Sequence, residues 1–382
     1  MSINRQRCLE TAKRIIVKVG SNVLTKSDGL NLKVIESVSQ QISQLTDKGL
    51  EVILVSSGAM AAGLRKLGLA KKPDGIPERQ AVAAVGQAGL IMEYEKAFER
   101  YDKKVAQVLL TGEDLYHRKR YLNARNTLHT LLFWRIVPII NENDTVSVEE
   151  IKLGDNDNLS AMIALLMNAD ILIILTDIEG LYNKDPRSSD DAELIPVVSA
   201  IGRDIEQFAS DIPGALGTGG MLSKIRAARK VNTAGIPMII AKGTKKNILL
   251  KLFAGESHGT FFIPKQEKMA NRKCWIGFTA KPKGVIRIDD GAVKAILENG
   301  KSLLPIGIVG VEGDFGVGAP VEFKNGRGDV LGKGIVNYSS ADIRKIMGIR
   351  TADIKKKLGD KPYDEVIHRN NLTITGECMI DI

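Results

Sequence analysis

Up to about residue 242 the chain alternates two kinds of apolar pattern. Short runs, apolar at nearly every position and often β-branched, stand at 14–19, 51–55, 105–110, 136–140, 170–175 and 236–241. Between them lie longer stretches at 32–48, 77–101, 119–134, 155–168 and 220–233, with apolar positions recurring every three or four residues. The first kind predicts strands buried on both faces, and the second predicts helices. Gly49 stops the first of these helices, and Pro77 suits the opening turn of the second, where its missing N–H costs nothing. Asp155 or Asn156 supplies a cap for the fourth. The alternation predicts an α/β fold, a mainly parallel sheet sandwiched by helices.

After about residue 262 the pattern changes. Short β-type segments at 284–288, 305–311, 319–324 and 330–338 are separated by glycine turns, with one helical stretch at 291–298. This predicts a small, separate β-barrel-like domain. The expected division is a first domain over 12–262, a polar linker over 263–275, a second domain over 276–356, and a C-terminal extension over 357–382 that packs on it.

In a parallel sheet, ligands bind beyond the carboxyl ends of the strands. Four such ends carry polar or glycine-rich tails: Lys18-Val19-Gly20-Ser21-Asn22, Ser56-Ser57-Gly58-Ala59, Asn141-Glu142-Asn143-Asp144 and Thr176-Asp177. Ordinary loops account for one or two of them; four point to one site assembled from several strands. There is neither a Walker A loop nor a dinucleotide fingerprint in this part of the chain. What stands instead is Gly217-Thr218-Gly219-Gly220-Met221-Leu222-Ser223-Lys224, opening a predicted helix. Clustered glycines let backbone N–H groups converge on a phosphate at a helix start, though a flexible turn uses the same residues. Lys224, one turn into that helix, and Lys18, at the end of a β-branched strand, are two cations suited to a triphosphate. Phosphoryl transfer rests mainly on such positioning and charge. The run Gly154-Asp155-Asn156-Asp157-Asn158 holds more short polar side chains than one helix cap needs. Asp157 is placed to orient two lysines, Asn156 to hydrogen-bond a polar substrate, and the Asn141–Asp144 segment to offer a carboxylate to an ammonium. A carboxylate acceptor is already anionic at neutral pH and needs no general base.

Composition narrows the classes. No apolar run approaches the roughly 20 residues of a spanning helix, and the basic residues 1–14 have no apolar stretch behind them, so no membrane span or secretory signal is expected. Three distant cysteines (Cys8, Cys274, Cys378) and four scattered histidines form neither a disulfide framework nor a metal pattern. The net charge of +9 raises the question of nucleic acid, but residues 275–382 hold only +2 of it and the remainder holds +7. Lys355-Lys356-Lys357 reads as a solvated helix face, and the aromatic residues of that part do not cluster, so RNA binding is the disfavoured second reading.

Taken together, the strand tails, the 154–161 segment and the 217–224 loop resemble the amino acid kinase family in order and spacing over about residues 12–260. Asn141-Glu142-Asn143-Asp144, Gly154-Asp155-Asn156-Asp157-Asn158 and Gly217-Thr218-Gly219-Gly220-Met221 place the resemblance in the branch that phosphorylates glutamate. The resemblance implies transfer of a phosphoryl group from ATP to the γ-carboxylate of L-glutamate, the first step towards proline, in the cytoplasm. It implies Lys18, Lys224 and Asp157 as the catalytic set, with Lys18 also touching ATP. Thr176 and Asp177 would lie at the nucleotide, and Thr218, Gly219, Gly220, Met221, Leu222, Ser223 and Lys224 on its phosphates. Ser57, Asp144 and Asn156 would bind glutamate, and Mg²⁺ would accompany ATP without a protein-built metal site. Leu222 stands where the family usually has a hydroxyl residue. Proline as a feedback inhibitor, a downstream glutamyl phosphate reductase and a homo-oligomer also follow from the resemblance. The charged segment between Thr111 and Tyr121 is expected to be an exposed, regulatory loop. Residues 276–356, with Leu303-Leu304-Pro305-Ile306-Gly307-Ile308, resemble a PUA domain, a small barrel known from RNA-modifying enzymes.

Overall fold

The structure, a computed structural model, describes residues 4–26, 29–146, 156–210, 220–264, 273 and 275–374. The chain divides into two compact units, residues 1–268 and 269–382.

The strands of the first unit are β1 (Arg14–Val19), β2 (Thr25–Lys26), β3 (Gly29–Leu30), β4 (Glu51–Val55), β5 (Val105–Leu110), β6 (Val137–Glu142), β7 (Ile171–Thr176), β8 (Val197–Val198), β9 (Met238–Lys242) and β10 (Thr260–Phe262). Eight of them form one sheet in the order β5-β6-β4-β1-β7-β9-β10-β8, while β2 and β3 pair as a separate hairpin. Every pairing in the large sheet is parallel except that of β9 with β10. The expected mainly parallel sheet is therefore present. β1 lies between β4 and β7, with Lys18 in register with Val55 on one side and Ile174 on the other.

Alternate residues of a strand point to opposite faces, and here the two faces meet different helices. Ile15, Val17, Val19, Ile171, Ile173 and Leu175 share a core with Val38 and Ile42 of helix Leu32–Asp47, Leu90 and Phe98 of helix Ile76–Glu99, and Leu252 of helix Ile248–Phe253. Lys18 alternates with these and projects from the other face, on which helix Asn156–Met167 packs against β1, β4, β6 and β7. Helices Arg118–Phe133 and Met221–Thr233 pack on that helix in turn. From Leu159 to Met167 every residue of helix Asn156–Met167 is buried, which is why its apolar pattern is nearly continuous. Each such Leu or Ile side chain stabilises the fold by about 1.5–3 kcal/mol through burial.

Several boundaries differ from the sequence expectation for local reasons. β6 begins at Val137 and runs on through Asn141 and Glu142, which stay in register with Leu109 and Leu110 of β5. These two residues are thus strand and not loop. β9 starts after Pro237, which has no N–H for the ladder. The segment 111–121 is not a loop: it forms helix Gly112–Tyr116 and the start of helix Arg118–Phe133. Thr111 and Asp114 close a reciprocal capping box there, and Leu115 and Tyr121 are buried.

The second unit holds β11 (Val285–Ile288), β12 (Ile308–Glu312), β13 (Pro320–Lys324), β14 (Val330–Ile335) and β15 (Leu372–Ile374), in the order β12-β11-β13-β14-β15. β11 and β13 are parallel, and the other pairs antiparallel. Its own core gathers Ile286, Ile288, Val321, Phe323, Ile343 and Ile367. The segment expected as a strand from 305 opens instead as a 3₁₀ turn, Pro305–Gly307, since Pro305 cannot donate to a ladder. Helix Ser340–Ile346, which the sequence reading did not foresee, is capped by Ser339, whose hydroxyl accepts from the Asp342 N–H.

Candidate active site

The polar residues collect at the carboxyl ends of β1, β4, β6 and β7. The β1 end turns at Gly20, whose N–H donates to the Leu175 carbonyl (3.0 Å) and ties β1 to β7 there. A Cβ on Gly20 would lie 3.3 Å from that oxygen and 3.6 Å from Lys18 Nζ. The β4 end turns at Gly58, whose φ of 102° is in the left-handed region that suits glycine. Helix Ala59–Lys66 begins directly after it.

Three charged side chains meet behind these turns. Lys18 Nζ is 2.7 Å from Asp157 Oδ1, and Lys224 Nζ is 3.1 Å from Asp157 Oδ2. All three are nearly sealed from water: the side chains are 7% (Lys18), 2% (Asp157) and 8% (Lys224) exposed. Ser223 Oγ donates to Asp157 Oδ2 (2.6 Å) and lies 2.8 Å from the Gly220 carbonyl oxygen. Burial by itself would raise the Asp157 pKa. Lys18 and then Lys224, with hydrogen bonds from Lys18 and Ser223, outweigh it and hold the carboxyl well below the usual carboxylate range. Asp157 is in the first turn of its helix, where the helix dipole also favours a negative charge. Asp157 is therefore a fixed anion that brings two ammonium groups onto one side chain.

Beside this triad is an uncharged network. Asn156 Nδ2 has three acceptors around it: the Ser56 carbonyl oxygen (3.0 Å), Ser57 Oγ (3.0 Å) and Asn141 Oδ1 (3.1 Å). Asn141 Oδ1 also accepts from the Glu142 N–H (2.9 Å). With its nitrogen committed in this way, Asn156 keeps Oδ1 as a buried acceptor without a hydrogen bond among the described residues. A buried amide oxygen left so costs on the order of 1–3 kcal/mol, which a ligand donor would recover.

On the other side of β1, Thr176 is buried at the end of β7 and its hydroxyl donates to Asp177 Oδ1 (3.0 Å). Asn22 Nδ2 donates to Asp177 Oδ2 (3.3 Å). Met221 is buried and Leu222 half-buried at the start of helix Met221–Thr233. Asp144 is half-buried in the turn beyond β6. Thr218 and Gly219 lie outside the described residues. The structure thus joins Lys18, Asp157, Ser223 and Lys224 in one cluster, Ser57 and Asn156 in a second, and Thr176 and Asp177 in a third.

A family model described as the amino acid kinase family matches residues 13–242, more than half of the chain. The chain belongs to the amino acid kinase family. Among curated amino acid kinase relatives, glutamate 5-kinase of Syntrophus aciditrophicus is 51% identical over 374 residues, spanning 98% of this chain and 97% of the relative. Glutamate 5-kinase of Caldanaerobacter subterraneus is 51% identical, spanning 94% of this chain and 97% of the relative. That of Meiothermus ruber is 49% identical, spanning 96% and 97%. A second family model, the PUA domain, matches residues 284–358. The amino acid kinase fold followed by a PUA domain is the architecture expected from the sequence.

Two members of this amino acid kinase site escaped the sequence reading as individuals. In the sequence the Asn141–Asp144 segment stands out for its carboxylates, but in the structure Asn141 is the amide that fixes Asn156. Asn22 stood in a strand tail with no partner assigned, and the fold carries it to Asp177. Polar residues just past the ends of adjacent strands were the available signal; which amide meets which depends on strand order.

Proposed function

We propose that this chain transfers the γ-phosphoryl group of ATP to the γ-carboxylate of L-glutamate, giving ADP and L-glutamyl 5-phosphate. The observation that carries this reading is the buried Lys18–Asp157–Lys224 triad set beside a buried, unfilled acceptor at Asn156, in a chain about half identical to glutamate 5-kinases. A carboxylate oxygen of the acid attacks the γ-phosphorus, a new P–O bond forms, and the bond from that phosphorus to the bridging oxygen breaks. The electron pair of the broken bond leaves with ADP. No proton has to move, because the acceptor is already an anion at neutral pH. This suits a site whose reactive side chains are lysines, amides and a carboxylate held ionised.

Lys18, at the junction of the two halves of the sheet, stabilises the transferring phosphoryl group. Lys224, at the start of its helix, neutralises the phosphates of the leaving group. Asp157 orients both and accepts no proton. Preorganised charges of this kind supply most of the barrier reduction in phosphoryl transfer. Thr176, Asp177 and the 218–224 loop hold the nucleotide. Ser57, Asp144 and Asn156 hold the acid, with Asn156 Oδ1 accepting from its ammonium group. Among the described residues no group of three His, Cys, Asp or Glu is arranged to hold a metal ion. In this reading Mg²⁺ accompanies ATP, as an ion commonly held by a nucleotide's own phosphates.

The product is a mixed anhydride that water destroys, so an enzyme that reduces it, a glutamyl phosphate reductase, is the consumer this reading implies. Feedback by proline, a homo-oligomeric state and a cytoplasmic location belong to the same reading. Among the described residues no helix is long and apolar enough to cross a membrane.

The test traps the acyl phosphate. The full chain is incubated with Mg·ATP, hydroxylamine and either glutamate, aspartate or N-acetylglutamate, and hydroxamate is measured. Signal with glutamate alone supports the reaction and the substrate together. Signal with another acid overturns the substrate, and no signal with any acid overturns the reaction.

A further inference from the structure

Helix Ile76–Glu99 contributes nothing to the triad, yet two of its polar side chains reach the network around Asn156. Gln87 Oε1 accepts from Asn141 Nδ2 (2.9 Å). Tyr94 is fully buried, and Ser56 Oγ donates to its hydroxyl (3.0 Å). The two residues are seven positions apart, two turns of helix, and so share one face. Each braces a different acceptor of the Asn156 amide: Gln87 through Asn141, and Tyr94 through Ser56. The amide orientations have backbone anchors, since Asn141 Oδ1 takes the Glu142 N–H and Asn156 Nδ2 faces the Ser56 carbonyl. Gln87 takes up the N–H of Asn141 that these bonds leave over.

Backbone packing points the same way. A Cβ on Gly86, next to Gln87, would lie 1.8 Å from the Ala59 carbonyl oxygen, and one on Gly63 would lie 1.8 Å from that of Val82. Helix Ala59–Lys66, which continues the Ser57-Gly58 turn, is thus seated directly on the backbone of helix Ile76–Glu99. The helix holds the turn after β4 by close backbone packing at Gly63 and Gly86 and by the Ser56–Tyr94 hydrogen bond, and it holds the end of β6 by the hydrogen bond from Asn141 to Gln87.

We propose that Gln87 and Tyr94 are positioning residues that set the affinity for the carboxylic acid substrate by holding Asn141 and Ser56, and through them Asn156, in place. This rests on the assignment of Asn156 to the acid made above. Neither residue touches the lysine triad by any contact described, so their removal acts on the acid and not on the nucleotide.

The experiment uses the full chain with Gln87→Met and Tyr94→Phe, each of which keeps the side-chain volume and removes the hydrogen bond. Initial rates are measured against glutamate at saturating ATP and against ATP at saturating glutamate, with thermal unfolding followed in parallel. The expected result is a KM for glutamate raised roughly three- to tenfold in each variant, the range for one lost neutral hydrogen bond. KM for ATP stays at the parental value and kcat changes less than the glutamate KM. Parental glutamate KM in both variants overturns the proposal. Equal weakening towards ATP and glutamate, in step with a lower melting temperature, also overturns it, since that is a general loss of packing. The parental chain serves as control: if it makes no hydroxamate with glutamate, the assignment of function fails first and this proposal falls with it.

Discussion

Lys18 and Asp157 form an ion pair at 2.7 Å in which neither side chain is more than 7% exposed. One partner ends the central strand and the other opens a helix packed across it. A charge pair this deep is costly to desolvate, and its geometry has to be good to repay that cost. A second cation, Lys224, on the remaining carboxylate oxygen completes an arrangement that suits a highly charged ligand better than an apolar core.

Removing either lysine should stop the chemistry but keep the fold, because Asp157 remains paired with the other lysine. Lys18→Met and Lys224→Met are expected to lower kcat by roughly 10²–10³-fold or more, as loss of one preorganised charge does elsewhere. Far-UV circular dichroism should match the parent. Near-parental turnover in either variant removes that lysine from the mechanism.

Asp157→Asn keeps the shape but leaves two buried ammonium groups facing a neutral amide. Breaking one partner out of a buried pair costs about 3–5 kcal/mol. Urea unfolding should show a loss of that order together with lost activity. A variant as stable as the parent would mean that the triad relaxes freely towards water.

Acid should expose the same carboxylate. Asp157 is held below the range of an unfolded aspartate, about 3.9, because Lys18 and Lys224 outweigh the opposing effect of burial. A folded pKa below the unfolded one gives a contribution that is complete above about pH 4. It is lost as pH falls through the folded value. The parent is thus predicted to lose more stability than Asp157→Asn as pH is lowered from 5 to about 2.5. Parallel stability curves for the two proteins would contradict this.

Three glycines of helices Ala59–Lys66 and Ile76–Glu99 should behave in opposite ways. Gly63→Ala and Gly86→Ala place a methyl group against carbonyl oxygens at 1.8 Å and force the two helices apart. Overpacking of this sort destabilises by about 1–3 kcal/mol or more. Nothing lies within 4 Å of a Cβ on Gly89, and there alanine gains helix propensity, up to about 1 kcal/mol. Melting temperatures of the three variants check the contrast, which fails if Gly89→Ala is the most damaging.

β1, β4 and β7 are readable because they are buried on both faces and so are apolar almost throughout. Their polar tails were readable because a purely structural turn has no use for so many amides and charges. Helix Ala59–Lys66 escaped because it starts from a left-handed glycine with no side-chain cap. Helix Gly112–Tyr116 is not legible although Thr111 and Asp114 have the spacing of a capping box, because the surrounding charge suggests a loop. The site was legible as a set of residues but not as a set of contacts. That Ser223 gives its hydroxyl to Asp157, or that Asn156 faces Ser56, follows from which strands are neighbours. Nothing local in the sequence encodes that order.

The strand order also bears on how such an enzyme could change. β4 and β6 lie on one side of β1, while β7 and β9 lie on the other. In the proposed reading the acceptor meets the first pair and the nucleotide meets β7, with Lys18 on the boundary. Substitutions at the ends of β4 and β6 can then exchange one acceptor for another without disturbing the donor. The sheet separates what is inherited from what is free to drift, and a new substrate needs only half of the site to be rebuilt.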